Sequence, residues 1–579
     1  MASARLGENI RYEPDEPCSL FTAVVVGAQG VLIVVAPAVL IVAITAVASG
    51  QDERYLTWAV FASLIVGGAI TALQAAGIGW LGTRHLLITG TTPNYVAVSV
   101  LALAEGGPAT LASLIILSAL FYLAIAAWLP RLRRIITPAV SGTVLMLIAT
   151  MILPVAFDRL NEVPADTPAI AGPGVALVTL VVTTILALRA PVSWRLWSPL
   201  LGIGAGCVAA AFFGMYELDR LREAAWVGLP SGGFPGLELT PTAGFWALLP
   251  MFLVVTLVQA IKTIGDAVVV QQVSQRRQRA IDFRKIQGAL YANGVGILLS
   301  GLAGTPPTSA YSSFTVSLIN LTGVAARRVA YAMGVIFFIL ALFPKVTGLL
   351  LTIPNPIMGA FLLVAIGILF FEGIRTVSRS GLGYQDALVV GLSFSIGVGL
   401  QHQNIFEGVL RAPWDALLGN GITIGAASAI ALTVLLDITG PRRRRLQVRL
   451  ANSDLPQIDA FLQEVAAKLS WNEESIDRLR SAGEETLASL LRPESAHPTD
   501  KVPRLIIATR PEGNALELEF SAVFAEENLE DRLAHLDEQS ETDDDREVSF
   551  RLLRHYASAV RHQKYHGMDI VTVRVERAQ

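Results

Sequence analysis

Two short stretches decide how this chain is to be read: Gly90-Thr91-Thr92-Pro93-Asn94 and Gly304-Thr305-Pro306-Pro307-Thr308-Ser309. Each is rich in helix-breaking and hydroxyl residues, and each adjoins an apolar run, 92–103 or 309–321, too short to cross a bilayer as a full helix. A hydrocarbon core of roughly 30 Å needs about 20 apolar residues per helix. Both interruptions stand third in a series. The first series of apolar runs is 19–48, 56–77, 92–103, 108–128, 135–157, 169–188 and 196–214. The second is 245–272, 287–302, 309–321, 327–348, 354–372, 383–400 and 416–436, and the polar stretch 215–243 separates the two. Broken segments at matching places in two halves suggest an inverted repeat with a central site. The expected fold is therefore an all-α polytopic membrane protein, 14 transmembrane segments in a 7+7 inverted repeat with core and gate domains.

Composition agrees. The 579 residues are 53% hydrophobic and 16% charged, with mean hydropathy +0.55. A soluble domain carries about 25% charge, so a cytosolic enzyme of uniform composition is excluded. Residues 1–445 hold 28 Lys/Arg and 21 Asp/Glu, whereas residues 446–579 hold 16 and 26. The expected domains are a polar N-terminal segment (1–18), a transmembrane body (19–440, repeats about 19–214 and 245–436) and a soluble α/β domain (446–579). Cys18 and Cys207 are too few for a disulfide framework and lack metal-ligand spacing. The first apolar run is longer than a cleavable signal core and is read as a span.

Basic residues cluster in alternate loops: Arg84; Arg131, Arg133 and Arg134; Arg189 and Arg195; Arg276, Arg277, Arg279, Arg284 and Lys285; Arg327 and Arg328; Arg375 and Arg379; Arg442 to Arg445. Under the positive-inside rule this places both termini in the cytoplasm of a multi-pass inner (plasma) membrane protein. The seven segments per half make the halves antiparallel.

Ionisable groups within a span are costly and mark functional sites by default. Lys262 and Asp266 lie in the apolar run 245–272 four residues apart, so they share a helix face. Two readings stand open: a charge-compensated structural pair, or a pair in which Lys262 faces substrate and Asp266 takes part in coupling.

Around these residues the chain resembles the nucleobase–ascorbate (xanthine/uracil permease, nucleobase-cation symporter-2) family. Thr263-Ile264-Gly265-Asp266 is similar to that family's Glu-Thr-x-Gly-Asp segment, and Ile353-Pro354-Asn355-Pro356-Ile357-Met358-Gly359-Ala360 to its Ile-Pro-x-Pro-Val-x-Gly-Gly. Gly27-Ala28-Gln29 resembles its Gly-Leu-Gln-His, and Thr137-Pro138-Ala139-Val140-Ser141-Gly142 its Pro-x-Val-x-Gly. The resemblance spans about residues 12–440. It implies secondary transport of a nucleobase with H+ or Na+, and a homodimer.

The departures matter as much. The family's substrate-binding glutamate falls on Lys262, its Gln/Glu-Asn-x-Gly motif on Phe314-Thr315-Val316-Ser317, and its histidine after Gln29 on Gly30. Lysine offers three donors and no acceptor, so uracil recognition in the usual way is not expected. An ammonium facing helix N-termini points to an anionic ligand. Tyr95 aligns with a family aromatic and is a candidate to stack on a planar ring, or to pack in the core. Asn94, Thr308, Ser312, Ser313 and Thr315 are candidates for hydrogen bonds at the half-helix ends, or for capping them. Phe314 and Gln29 complete the candidate site. The stripe Gly202-x-Gly204-x-Gly206 is read as close helix packing.

In the tail, helices are expected at 456–470, 473–491 and 547–562, and strands at 504–508, 516–524 and 569–575, with an acidic loop at 537–545. Arg442 to Arg445 is read as an anchor on the inner membrane face. The pattern resembles a degenerate histidine-kinase-like ATPase of the anti-sigma-factor kinase form: Glu484-Glu485-Thr486-Leu487-Ala488-Ser489 is similar to its Glu-x-x-x-Asn box, with Ser489 in the Asn place. Nucleotide binding is not expected, and the module is read as regulatory or oligomerising.

The function expected is ion-coupled symport of a purine-type nucleobase (xanthine- or urate-like) or related small anion by alternating access, without enzymatic activity, cofactor, metal or nucleic-acid partner. The alternatives are an inorganic or carboxylate anion transporter on the fold that sulfate-permease-like proteins share, and a membrane sensor signalling through residues 446–579.

Overall fold

The computed structural model describes residues 10–132, 137–164, 167–168, 170–191, 197–216, 225–230, 233–238, 240, 242–276, 282–378, 384–403, 421–439, 444–490, 504–512, 515–523, 556–565 and 568–577. They form two compact units, Met1–Arg279 with Lys285–Val434, and Leu435–Gln579 with Ala280–Arg284.

The first half of the membrane unit comprises α1 (Leu20–Ala48), α2 (Glu53–Ala76), strand β1 (Thr89–Thr91), α3 (Val96–Leu132), α4 (Pro138–Asn161), α5 (Ala171–Arg189) and α6 (Ser198–Phe212). Gly107, at φ 74°, breaks α3 into two segments, because the left-handed region costs glycine nothing and halts the helix. The second half comprises α7 (Ala243–Val273), α8 (Phe283–Ala303), strand β2 (Thr308–Ala310), α9 (Ser312–Thr322), α10 (Arg327–Ala341), α11 (Pro344–Leu351), α12 (Asn355–Ser378), α13 (Tyr384–His402) and α14 (Gly421–Thr439). With α3 counted twice and the short α11 set aside, each half holds seven segments among the described residues. The run expected at 327–348 is divided: α10 stops at Ala341, and Pro344 opens α11 at a position where its missing N–H costs no helical bond. Among the described residues, eight helices are long and apolar enough to cross a membrane.

Small residues set the packing. A Cβ on Gly68 of α2 would stand 3.1 Å from the Gly334 carbonyl of α10, and one on Gly334 would stand 3.0 Å from the Gly68 carbonyl. In the same way Gly142 of α4 meets the Gly373 carbonyl of α12 at 2.5 Å. Such backbone approach supplies the dispersion contact that holds helices together where lipid offers no hydrophobic contrast. Of the stripe in α6, Gly202 and Gly206 sit against Thr183 and Thr179 of α5, while Gly204 meets nothing within 4 Å. These contacts sort the helices into a core group around α1–α3 and α7–α10 and a gate group around α4–α6 and α12–α14.

At the centre of the core group β1 pairs antiparallel with β2, in the register Thr89↔Ala310, Gly90↔Ser309 and Thr91↔Thr308. All six residues are buried. Each extended trio would leave backbone groups bare at mid-membrane; paired, they satisfy one another. The two interruptions therefore meet, as the repeat implied.

On one face of this unit the N-terminal segment runs past the ends of α7 and α9. Arg276 donates to both carboxylate oxygens of Glu16 at 2.6 Å and to the carbonyls of Ile10 (3.0 Å) and Arg11 (2.6 Å). Arg327 pairs with Asp15, and Arg11 N–H donates to the Gly323 carbonyl at 2.7 Å.

The second unit contains strand β3 (Arg444–Arg449), α15 (Leu455–Lys468), α16 (Glu473–Leu490) and strands β4 (Arg504–Glu512), β5 (Ala515–Val523), β6 (Ala559–Tyr565) and β7 (Met568–Glu576). The sheet is antiparallel in the order β3-β4-β5-β7-β6. Its core joins Ile458, Leu462 and Leu479 of the helices to Leu505, Leu518, Phe520 and Val573 of the strands. Arg480 of α16 bonds Asp459 of α15 through both carboxylate oxygens, the longer bond at 2.8 Å. One expectation is corrected here. Residues 559–562, read as the end of a helix, are strand, because pairing with β7 fixes them extended. Arg444 and Arg445 open strand β3. Residues 547–555, the acidic loop 537–545 and Arg442–Arg443 lie outside the described residues.

Candidate functional site

The site is built where α7 passes the β1–β2 crossing. From 245 to 270, α7 is apolar except for a polar face made by Thr256, Gln259, Lys262, Thr263 and Asp266, whose three- and four-residue spacing stacks them along one side. Lys262 donates to Asp266 Oδ2 at 2.8 Å and to the Ala310 carbonyl, at the end of β2, at 3.3 Å. Ser312, first residue of α9, donates to Asp266 Oδ1 at 2.6 Å. The carboxylate thus accepts a charged and a neutral donor, while the ammonium spends two of its three N–H groups. The Lys262 side chain is 21% exposed although Gln259, Thr263 and Ser309 beside it are fully buried. The Lys262 side chain therefore keeps exposed surface where those neighbours have none.

Gln259, one turn before Lys262, joins the two interruptions. Its oxygen accepts from Asn94 Nδ2 at 2.7 Å, on the turn that leads from β1 into α3. Its nitrogen donates to Ser309 Oγ of β2 and, at 3.4 Å, to Thr263 Oγ1. Asn293 of α8 donates to the same Thr263 hydroxyl at 3.4 Å and to Tyr122 of α3 at 3.0 Å. Tyr311 closes the other side: its hydroxyl donates to the Thr91 carbonyl and its ring meets Phe314 edge-on at 5.4 Å.

Of the residues expected from sequence, Lys262, Asp266 and Asn94 belong to this arrangement, and Phe314 borders it through Tyr311. Thr315 is a buttress: it donates to the Tyr311 carbonyl at 2.7 Å and accepts from Ile88 N–H at 3.0 Å, so both roles of its hydroxyl are used. Tyr95 is fully buried, bonded to Thr256 at 2.8 Å and tilted on Phe252 at 6.2 Å. Ser313 lies on the exposed side of α9. Gln29 is half-buried, with its Oε1 unpartnered and outside the network, while Gly30 beside it lets α1 close on Leu318 and Met333. Gln259, Ser309 and Tyr311 were not singled out by sequence reasoning. A signal for Gln259 existed: it stands three before Lys262 and seven before Asp266, on their face.

Residues 21–406 match the sequence profile of the Permease family, Xan_ur_permease. The chain is 29% identical over 439 residues to xanthine permease XanP of Escherichia coli (strain K12), covering 73% of this chain and 92% of that one. It is 28% identical over 422 residues to uric acid permease PucK of Bacillus subtilis (strain 168), covering 72% and 95%. Among solved structures, the murine Slc26a9 anion transporter in its inward-facing state aligns with TM-score 0.50 and 13% identity over 74% of this chain and 70% of that one, a likeness of fold alone. A profile match over most of the chain, relatives spanned almost from end to end and a shared 7+7 architecture lead to one conclusion: this multi-pass membrane protein is a transporter and belongs to the Xan_ur_permease family.

Proposed function

We propose that this permease carries a purine-type nucleobase, xanthine- or urate-like, by alternating access of the core group against the gate group, coupled to H+ or Na+. The observation that carries the reading is the Lys262 ammonium, held at the β1–β2 crossing with one donor unspent and its side chain partly open. A purine-dione offers carbonyl oxygens, or an anionic ring, to such a donor. The N-terminal ends of the half-helices α3 and α9 add partial positive charge on the same side. The names of the relatives, xanthine and uric acid permeases, support that substrate class. Asp266 is assigned the coupling role, because its charge is balanced only while Lys262 and Ser312 both face it. Phe314 and Asn94 complete the site, with Tyr95, Thr315, Ser313 and Gln29 supporting it from farther out.

Both termini are assigned to the cytoplasm of the inner membrane. The N-terminal segment bonds Arg276 and Arg327, so it shares a face with two of the basic loops. A homodimer is inferred from the family, and residues 446–579 are assigned a regulatory or oligomerising role.

The test is uptake of labelled xanthine into proteoliposomes, with urate, uracil, bicarbonate and sulfate as competitors. Xanthine and urate should compete and the inorganic anions should not. Uptake of labelled bicarbonate or sulfate by protein that takes up neither labelled xanthine nor labelled urate would overturn the reading in favour of an inorganic anion carrier.

A further inference from the structure

The buried network around Gln259 has a direction. Thr263 donates its single hydroxyl proton to the Gln259 backbone carbonyl at 2.9 Å, so toward its other neighbours it presents only lone pairs. The Gln259 side chain must therefore turn its nitrogen to Thr263 and Ser309, and its oxygen to Asn94. Asn94 in turn must point its nitrogen at Gln259. What remains in this network, among the described residues, are two acceptors with no donor, Asn94 Oδ1 and Asn293 Oδ1, and of these only the Asn94 oxygen, on a residue 1% exposed, stands on the turn at the crossing. A buried acceptor without a partner is costly, and a ligand N–H removes that cost.

We infer that Gln259 is a positioning residue that fixes the hydrogen-bond polarity of the site, holding the Asn94 oxygen as an acceptor that selects a ring N–H of the ligand. This rests on the purine reading above, in which the ligand brings both carbonyl oxygens for Lys262 and N–H groups for Asn94. Gln259 acts through Asn94 and need not touch the ligand.

The experiment is inhibition of labelled xanthine uptake in proteoliposomes by a set of mono-N-methylated xanthines. In the wild type, methylation of one ring nitrogen should raise the inhibition constant by about tenfold or more relative to the others, the cost of leaving a buried acceptor bare. Gln259→Leu frees the Asn94 amide to turn, and the differences should collapse to within about threefold. Asn94→Leu should collapse them as well. Gln259→Glu still presents an acceptor to Asn94 and should keep the wild-type order. A purely structural role for Gln259 would change the amount of folded protein without changing that order. Should Gln259→Leu fail to insert, Gln259→Met, which keeps the length of the side chain but neither amide group, takes its place with the same expected collapse. A wild-type order preserved in Gln259→Leu or Asn94→Leu, or a flat order in a wild type that does transport xanthine, overturns the inference alone. A wild type that xanthine neither enters nor inhibits overturns the purine reading, and the inference with it.

Discussion

Lys262 and Asp266 form a 2.8 Å ion pair one turn apart on α7, and the same ammonium reaches the backbone of β2 across the crossing. The pair ties α7 to the second interruption. Charges so placed are expensive in a membrane and persist where they are paired and used. Neutrality of the pair lowers the cost of burying both charges, and in the proposed reading the unspent donor of Lys262 attracts an anionic or strongly accepting ligand.

The crossing is tightly filled at Gly90. A Cβ there would stand 2.7 Å from Cε2 of Tyr311, whose hydroxyl holds the Thr91 carbonyl. Gly90→Ala should displace that ring, destabilise the core by about 1–3 kcal/mol and abolish most uptake. Thermal unfolding in detergent together with uptake would check it. Wild-type values in both would show that the crossing is looser than described.

The gate group depends on the contact between Gly142 and Gly373. A side chain at Gly142 would meet the Gly373 carbonyl at 2.5 Å, and carbonyls cannot swing aside as a flexible side chain would. Gly142→Ala should therefore separate α4 from α12 and lower the unfolding temperature, again by about 1–3 kcal/mol in stability. Xanthine affinity should change little, because neither residue borders the crossing. An unchanged unfolding temperature would count against the packing.

Glu16 provides a pH test outside the membrane. The Arg276 guanidinium bonded to it holds its carboxyl below the usual carboxylate range, and the Glu13 N–H helps. A depressed folded value means that the contribution is complete above the unfolded pKa of about 4.3 and is lost as pH falls through the folded value. The difference in unfolding temperature between wild type and Glu16→Gln should hold steady from pH 7 to about 5 and shrink below about 4. Raised salt should reduce it, since the pair is exposed. A difference that does not change below that range would show that Arg276 contributes nothing through Glu16.

Much of the fold was legible because membrane insertion imposes a length on each helix, and because Gly90–Asn94 and Gly304–Ser309 break two of them at equivalent places. The Lys262–Asp266 pair was legible for a similar reason: four-residue spacing settles adjacency on a helix. What the sequence left open is tertiary. Nothing local says that Gln259 bonds residues of both interruptions, since Asn94 and Ser309 are 165 and 50 positions away. Ser313 and Ser312 look alike in sequence, yet their neighbouring places on α9 put only Ser312 against Asp266. In the tail, residues 559–565 became strand because β7 offers a partner in register, a contact that local propensity does not encode.

Ligand binding by Lys262→Gln, Asp266→Asn and the double variant tests the central assignment most directly. Purified protein titrated with xanthine should show affinity lowered about tenfold or more in Lys262→Gln, with no recovery when Asp266→Asn is added, even though the double variant no longer buries an unpaired charge and should regain thermal stability. Recovery of wild-type affinity in the double variant would contradict it, reducing the amine to a structural counter-ion of Asp266.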